Sequence, residues 1–267
     1  MRAIKTVIPF KPDNPKSRLA SVLTEEERKI FVGLSLENVL SVLKEAGIKQ
    51  VEILSKSVLN TADENNLMSF SSPDFEIIII TDEADLSTAV NTYLKSSDVP
   101  VFIVMADLAL LTKEDVKAMT EPMAESMTEL MAESMTELMA ESMTELMAES
   151  MTESLGESMA GAMAMPVRTN FIRIAPGKDG GTNMMYIGAP DVFEVNYYGE
   201  SFKKHKEEAE RKNLICEVRE SFYAAADMDE PEDLFDILRY GSGKILAFVE
   251  QTIGEKEGIR KEFNDNE

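Results

Sequence analysis

The sequence predicts an α/β fold built on a single, mostly parallel, doubly wound sheet. Short apolar runs alternate with amphipathic helical segments along most of the chain, an order that is typical of βα units. The run Ile77–Ile80 is apolar without alternation, which indicates a strand covered by helices on both faces. The chain has 267 residues, of which 44% are apolar, and this is enough to bury one large core.

The predicted elements follow from these local patterns. Apolar runs predict strands at Ala3–Ile8, Gln50–Leu54, Glu76–Thr81, Val101–Met105, Val167–Ala175, Met184–Ile187 and Leu214–Val218. Helical periodicity predicts helices at Glu25–Ala46, Ala84–Leu94, Pro231–Arg239 and Lys244–Ile253, and another that begins near Ser201. Thr24 and Glu27 have the spacing of a capping box, which marks the start of the first long helix.

An eight-residue repeat interrupts this pattern, so we predict an α/β domain of residues 1–118 and 167–267 with an insertion at 119–166. The unit Met-Thr-Glu-Leu-Met-Ala-Glu-Ser occurs three times from Met127 to Ser150. These residue types favour a helix, but a methionine at every fourth position drifts by about 40° around the helix at each step. No apolar stripe stays on one face, so we interpret the repeat as a helical or disordered insertion in a surface connection.

Two other roles for the repeat stay open. Methionine sulfur is a soft ligand, which allows a thioether site for Cu(I). Flexible methionines also suit an adaptable binding surface, and the chain would then be a non-catalytic interaction protein that acts through the Met-rich repeat. That hypothesis predicts that the repeat is needed for function and that the acidic residues discussed below are dispensable.

Composition limits the functional classes further. The formal net charge of −22 argues against nucleic acid as a partner, because a duplex-binding surface needs clustered cations. The sequence has no apolar run of about 18 residues, which argues against a membrane span. The lone cysteine, Cys216, excludes an internal disulfide and fits a reducing, cytoplasmic location.

The most informative functional feature is a cationic loop after the first strand. Lys11, Lys16 and Arg18 lie within eight residues of a strongly acidic chain. In α/β proteins, cations at the carboxyl edge of the sheet present charge to a phosphate. We therefore interpret these three side chains as nucleotide-phosphate ligands, with a solvated basic loop as the alternative.

Two acidic segments provide candidate ligands for a divalent cation. Asp107 follows the buried strand Val101–Met105, where a carboxylate can hold Mg²⁺ against the phosphates of a nucleotide. Asp227 and Asp229 precede a helix and point in the same direction if their segment is extended. Local sequence leaves two alternatives open, a turn at Asp107 and N-capping of the helix by Asp227 or Asp229.

A glycine-rich turn before a strand is a second candidate for anion binding. Gly180 and Gly181 allow backbone N–H groups to approach an anion, and Thr182 adds a hydroxyl donor. Farther along, Gly199 leads into a helix on which Ser201 is either the N-cap or a phosphate ligand. His205 on the same helix is either structural or a general base.

In this order, the motifs resemble those of the archaeal 2-phospho-L-lactate guanylyltransferase family of deazaflavin-coenzyme biosynthesis. The matching segments cover nearly everything outside the repeat and comprise Ile8–Lys11, Pro15–Leu19, Val104–Leu108, Gly180–Asn183, Tyr198–His205 and Asp227–Leu234. Ala109 departs from the pattern, because the family usually has proline there.

The resemblance implies a nucleotidyltransferase-type fold, Mg²⁺ and a homodimer. It implies that the phosphate of (2S)-2-phospholactate attacks the α-phosphorus of GTP, giving lactyl-diphospho-guanosine and pyrophosphate. The expected metal ligands are Asp107, Asp227 and Asp229, and the expected ligands of the phospho-acid are Thr182, Gly199 and Ser201. The expected catalytic residues are Lys16, Arg18 and Asp107. A related nucleotidyltransferase that uses phosphoenolpyruvate or another phospho-acid or nucleotide is the alternative.

Deletion of the repeat tests the insertion hypothesis. Replacing Glu121–Met165 with a short Gly/Ser linker is expected to leave guanylyl transfer within a few-fold of the parent, because no matching motif lies inside the repeat. Stability should change little, since each doubling of a flexible loop costs only about 0.6 kcal/mol. Turnover and urea unfolding of the two proteins check this. A folded but inactive deletion variant would contradict the hypothesis.

Overall fold

The chain was analysed as a computed structural model that describes residues 4–11, 16–121 and 170–254. Within these ranges, strands assemble into a seven-stranded sheet. They are β1 (Lys5–Phe10), β2 (Gln50–Ser55), β3 (Glu76–Thr81), β4 (Val101–Val104), β5 (Phe171–Pro176), β6 (Thr182–Ile187) and β7 (Ile215–Val218). Their order across the sheet is β3-β2-β1-β4-β6-β5-β7.

Six strands run in the same direction and β6 runs against them. β1 pairs in parallel with β2 and β4, β2 with β3, and β5 with β7. β6 is antiparallel to both of its neighbours, because only five residues separate it from β5 and so short a turn can join only antiparallel strands. The predicted mostly parallel sheet is thus confirmed, with one reversed strand.

Five helices lie between strands in the described ranges, and three more follow β7. They are α1 (Glu25–Glu45), α2 (Thr61–Met68), α3 (Leu86–Lys95), α4 (Lys113–Thr120), α5 (Ser201–Arg211), α6 (Phe222–Ala225), α7 (Asp233–Tyr240) and α8 (Gly243–Gly254). α1 begins with the predicted capping box, in which the Thr24 side chain accepts from the Glu27 N–H and the Glu27 carboxylate accepts from the Thr24 N–H.

Apolar side chains cover the sheet on both faces. Alternate strand residues, among them Val7, Ile103 and Ile174, pack with residues of α3 and α5 in one core cluster. The intervening residues, such as Ile8 and Phe102, are also fully buried and point to the opposite face. A second cluster joins residues of α1, α7 and α8. The sheet is therefore doubly wound, as predicted.

The structure moves several predicted boundaries. β1 is two residues later than predicted and includes Pro9 and Phe10, which pair with β2. The short helices α2, α4 and α6 were not predicted, because each has eight residues or fewer and a weak local pattern. Met119 and Thr120, placed in the insertion by the sequence, are the last residues of α4, and Met119 is buried. The rest of the predicted insertion, apart from Glu121, lies outside the described residues.

The strand order creates a switch point beside β1. From β1 the chain adds β2 and β3 on one side and then crosses to add β4 on the other side. The connections that leave the carboxyl ends of β1 and β4 consequently diverge, and this is where open α/β sheets form a ligand crevice. Within the described ranges, no helix is both long enough and apolar enough to cross a membrane.

Candidate active site

The candidate site is a cleft of about 380 Å³ at the carboxyl ends of β1 and β4. Its lining contains polar side chains that the sequence singled out, namely Lys11, Lys16, Arg18, Asp107 and Asp229. Apolar walls come from Phe10, Val32 and Met105 among others. The predicted cationic loop and two of the predicted acidic residues thus meet at the switch point.

Lys16 lies between two carboxylates. Its Nζ is 2.5 Å from Oδ2 of Asp107 and 2.6 Å from Oδ1 of Asp229. Asp107 follows β4 and Asp229 precedes α7, so one ammonium group joins segments that are far apart in the sequence. The Lys16 backbone is left-handed, with φ of 51°, a conformation that is uncommon for a residue with a Cβ atom.

Burial and charge act against each other at Lys16. Burial disfavours the charged amine, but the negative charges of Asp107 and Asp229 and their hydrogen bonds outweigh it, so the pKa of Lys16 is raised. The side chain is only 7% exposed. Lys16 therefore remains an ammonium ion inside the cleft, neutralising carboxylates that would otherwise repel each other.

Arg18 and Lys11 are more accessible than Lys16. Nη1 of Arg18 lies 3.2 Å from Oε1 of Glu230 and 3.7 Å from Oδ2 of Asp229, and the Arg18 side chain is 59% exposed. Lys11 is exposed as well. Solvent-exposed ion pairs contribute little to stability, so Arg18 can exchange Glu230 for another anion at small cost.

Asp233 holds the segment that carries Asp229. Its buried carboxylate accepts hydrogen bonds at Oδ2 from the backbone N–H groups of Asp229 and Glu230, at 2.8 and 2.7 Å. Its Oδ1 forms an ion pair with Lys178, in the turn between β5 and β6. Asp233 therefore fixes one wall of the cleft and ties it to the glycine-rich turn.

This arrangement excludes the N-capping alternative for the acidic segment. Neither Asp227 nor Asp229 caps α7, since the residue before this helix is Glu232 and makes no side-chain cap. Asp233, the first residue of α7, instead accepts from the amides that precede it. The sequence reasoning missed this role, because in sequence Asp233 looks like any acidic residue in a first helical turn.

Asp227 is the most perturbed carboxylate of the site. Its Oδ1 is buried and has no hydrogen-bond partner among the residues that the structure describes. Burial raises the pKa of Asp227 to about 6, and the charges of Asp107 and Asp229 add to this effect. A buried carboxylate oxygen without a partner is available to a cation.

The acidic residues fit a divalent cation only in part. Within the described ranges, no three Asp, Glu, His or Cys side chains stand close enough together to hold a metal ion by themselves. Asp107 and Asp229 do converge on a single cationic atom, and Asp227 adds an unpaired oxygen. Mg²⁺ in nucleotide sites is commonly bound by one or two carboxylates plus substrate phosphates, and this donor set suits such a shared site.

Thr182 and Ser201, the predicted ligands of the phospho-acid, lie together at the starts of β6 and α5. Ser201 Oγ donates to Thr182 Oγ1 at 3.4 Å, and His205 Nδ1 is 2.9 Å from the same Thr182 oxygen. Ser201 is the first residue of α5 and not its N-cap, which is Glu200. These residues do not line the 380 Å³ cleft. Local pattern singled them out as possible anion ligands, and the resemblance assigned them to the phospho-acid.

The predicted glycines adopt backbone conformations that explain the residue type. Gly180 and Gly199 have φ of 75° and 64°, a region that residues with a Cβ atom rarely occupy. The Gly180 N–H already donates to the Gly177 carbonyl at 3.2 Å inside the turn. Gly181 has open space where a side chain would be. Gly180 thus shapes the turn, and its N–H is engaged within it.

Comparisons with known proteins agree with this architecture. A sequence model of the family described as guanylyl transferase CofC-like matches residues 4–132 and 162–254. The 2-phospho-L-lactate guanylyltransferases of Methanosarcina barkeri and Methanosarcina mazei are each 34% identical to the chain over 92% of its length, and the alignments cover 91% and 92% of those proteins. The corresponding protein of Methanocella arvoryzae is 30% identical over 98% of this chain and 94% of its own.

A solved structure supports the fold. A candidate nucleotide-diphospho-sugar transferase from Desulfovibrio desulfuricans G20 superimposes with a TM-score of 0.62 at 13% identity, covering 98% of this chain and 99% of that one. The family model and the relatives define the class of this chain, which is a nucleotidyltransferase. Within that class, the chain belongs to the guanylyl transferase CofC-like family. The resemblance predicted from the motifs is thereby confirmed.

The buried histidine makes a pH prediction possible. Burial, with a smaller effect of the nearby Lys204 ammonium, lowers the pKa of His205 to about 4 from an ordinary 6.5. Between these values the unfolded chain binds more protons than the folded one, so stability is fully present above about pH 6.5 and declines as the pH falls towards 4. From pH 7 to pH 5, His205 should account for a loss of about 2 kcal/mol.

Urea unfolding of the parent and of His205→Gln at both pH values measures this loss. Other titrating groups, Asp227 among them, act in both proteins, so the difference between the two isolates His205. An equal loss in parent and variant would show that the imidazole takes up a proton in the folded state at its ordinary pKa.

Proposed function

We propose that the protein transfers the guanylyl group of GTP to the phosphate of (2S)-2-phospholactate, giving lactyl-diphospho-guanosine and pyrophosphate. The observation that carries this proposal is the contact of Lys16 with Asp107 and Asp229 at the switch point, in a chain of this family. Relatives named for this activity align along nearly the whole chain. Binding of GTP in particular rests on those names.

In this proposal the cationic loop binds the triphosphate. Arg18 has a planar guanidinium that can contact two phosphate oxygens at once, and its present partner is an exposed ion pair. Lys11 is exposed on the same cleft. Lys16 is buried beside two carboxylates, so it would bring positive charge to the innermost phosphate while it remains near Asp107. Positioning and charge neutralisation are the main needs of phosphoryl transfer.

Mg²⁺ is proposed to enter with the triphosphate. Asp107 and Asp229 would hold it, with Asp227 as a further ligand through its unpaired oxygen. When bound, the ion would neutralise charge on the α-phosphoryl group and on the departing pyrophosphate. Phosphate is already ionised at neutral pH, so the acceptor requires no base from the protein, and none of the described side chains is assigned that role.

The acceptor is proposed to bind near Thr182, Gly199 and Ser201. The Thr182 hydroxyl and the backbone around Gly199 offer neutral donors to the phosphate or carboxylate of a three-carbon acid, and Ser201 donates to Thr182 beside them. Phosphoenolpyruvate has the same carbon skeleton as 2-phospholactate and differs only in a double bond from the carbon that bears the phosphate to the terminal carbon. It is therefore the alternative acceptor that an assay must include.

Product analysis tests the activity directly. The purified protein is incubated with Mg²⁺, each of the four nucleoside triphosphates and either phospho-acid, and the products are identified by mass spectrometry. GTP with 2-phospholactate is expected to give the diphosphate-linked product and stoichiometric pyrophosphate. Preference for another nucleotide or for phosphoenolpyruvate would support the alternative nucleotidyltransferase.

The Asp107→Asn variant tests the cleft. It removes one charge that faces both Lys16 and the proposed ion, and loss of a group that stabilises charge in the transition state costs about 10²–10³ in rate. We expect a loss of that size in kcat, with the fold retained by circular dichroism. Lys29→Ala, which breaks an exposed ion pair on α1, serves as a control with unchanged kcat. Near-parental release of pyrophosphate by Asp107→Asn would contradict the site.

Two finer predictions come from the sequence: the resemblance implies a homodimer, and the lone cysteine, Cys216, indicates a reducing compartment. We propose a homodimer and a cytoplasmic location for the protein. Light scattering on purified protein measures its mass in solution, and a mass of one chain would contradict the dimer.

A further inference from the structure

His205 is the only histidine of the chain, and the proposed reaction assigns it no step. It is fully buried on α5, between the rings of Phe193 and Tyr197. Both ring nitrogens have a polar contact. A buried imidazole with two defined partners has a defined protonation pattern, and this pattern can be derived from the partners.

The backbone determines where the proton of the ring lies. The N–H of Asn196 donates to Nε2 of His205 at 2.9 Å, and a backbone amide can only donate. Nε2 must therefore carry a free lone pair, which excludes both the imidazolium ion and the tautomer protonated at Nε2. The neutral ring has its proton on Nδ1. Because Nδ1 is 2.9 Å from Thr182 Oγ1, it donates to that oxygen.

The donated bond in turn orients the Thr182 hydroxyl. Thr182 Oγ1 accepts from His205 at 2.9 Å and, more weakly, from Ser201 at 3.4 Å. Two accepted bonds use both lone pairs of a hydroxyl oxygen, so among the described contacts its own proton is left to donate. Thr182 is buried, with 4% of its surface exposed, and begins β6 directly after Gly181, a residue with open space where its own side chain would be.

We propose that His205 is a positioning residue that makes the Thr182 hydroxyl a hydrogen-bond donor to the acceptor phospho-acid. The chain of contacts runs from the Asn196 amide through the neutral ring to Thr182. A low pKa of the buried ring agrees with it, since the ring stays neutral at the pH of the reaction. The proposal rests on the proposed function for its ligand, because Thr182 was assigned to the acceptor there.

Two substitutions separate positioning from packing. In His205→Asn, the amide nitrogen can take the place of Nδ1 and keep a donor towards Thr182. In His205→Gln, the amide oxygen can take the place of Nε2 and keep an acceptor for Asn196, while the donor towards Thr182 is lost. Both variants remove the ring that packs against Phe193 and Tyr197, so a role in packing alone would affect both alike.

The kinetic test measures KM for the phospho-acid and for GTP. His205→Gln is expected to raise KM for the phospho-acid about tenfold, as for the loss of one oriented hydrogen bond, with KM for GTP within twofold of the parent. His205→Asn should stay within about threefold for both substrates. In a Thr182→Val background, His205→Gln should change KM for the phospho-acid less than twofold, because the coupled partner is gone. Equal effects of Asn and Gln would overturn the proposal.

A second readout does not require turnover. With ¹⁵N-labelled histidine, the single imidazole gives one pair of ring nitrogen signals, and their shifts report which nitrogen carries the proton. We expect the Nδ1-protonated neutral form from pH 8 down to about pH 5. A proton on Nε2, or titration near the ordinary pKa of 6.5, would overturn the positioning role.

The two readouts also distinguish failure of this proposal from failure of the proposed function. If the parent transfers guanylyl groups to a different phospho-acid, the KM comparison is made with that acceptor. If it transfers them to none, the proposed function fails and the acceptor role of Thr182 fails with it, whatever the tautomer. Active parent enzyme with the wrong tautomer overturns only the role of His205.

Discussion

The ion triplet of Lys16, Asp107 and Asp229 is the interaction on which the cleft depends. The two carboxylates come from the end of β4 and from the segment before α7, and their shared ammonium offsets their mutual repulsion. Burial disfavours the charged ammonium, but its attraction to the two carboxylates outweighs this effect. Removing Lys16 would leave two facing carboxylates, and removing either carboxylate would take away one of the two partners that offset the burial of the ammonium, so geometry and charge balance are set together. The left-handed backbone at Lys16 is strain that this balance maintains.

Around the triplet, a second layer of contacts joins the two halves of the site. Asp233 binds the amides beside Asp229 with one oxygen and Lys178 of the glycine-rich turn with the other. The same turn leads into Thr182, whose hydroxyl oxygen lies 2.9 Å from Nδ1 of His205. Residues that bind the nucleotide in the proposed function are thus connected, through charged and polar contacts, to those proposed for the acceptor.

Local sequence rules predicted the elements well and the contacts between them poorly. The Thr24 and Glu27 pair was enough to place the start of α1, because a capping box is complete within four residues. The Lys16–Asp107 contact spans 91 residues, and no local pattern carries that information. The sequence predicted that the cations and the carboxylates lie at one edge of the sheet. It predicted phosphate as the partner of the cations and a metal ion as the partner of the carboxylates, and it missed that the two sets of side chains pair with each other. Short motifs offered Thr182 and Ser201 as possible anion ligands, and the family resemblance assigned them to the phospho-acid.

The charge balance of the cleft also affects how a negatively charged triphosphate can bind to so acidic a protein. Ten of the 22 net negative charges lie in the repeat from Glu121 to Glu157, which contains no Lys or Arg, and the remainder still repels a free triphosphate. In the cleft itself Lys16 and Arg18 nearly offset Asp107, Asp229 and Glu230. Such a site attracts a bare triphosphate weakly, whereas a triphosphate carrying a divalent ion supplies a cation for the carboxylates and anions for Lys16 and Arg18. Under the proposed function, the nucleotide and the ion therefore bind best together. The phosphates pair with Lys16 and Arg18, and the ion pairs with the carboxylates that these cations leave.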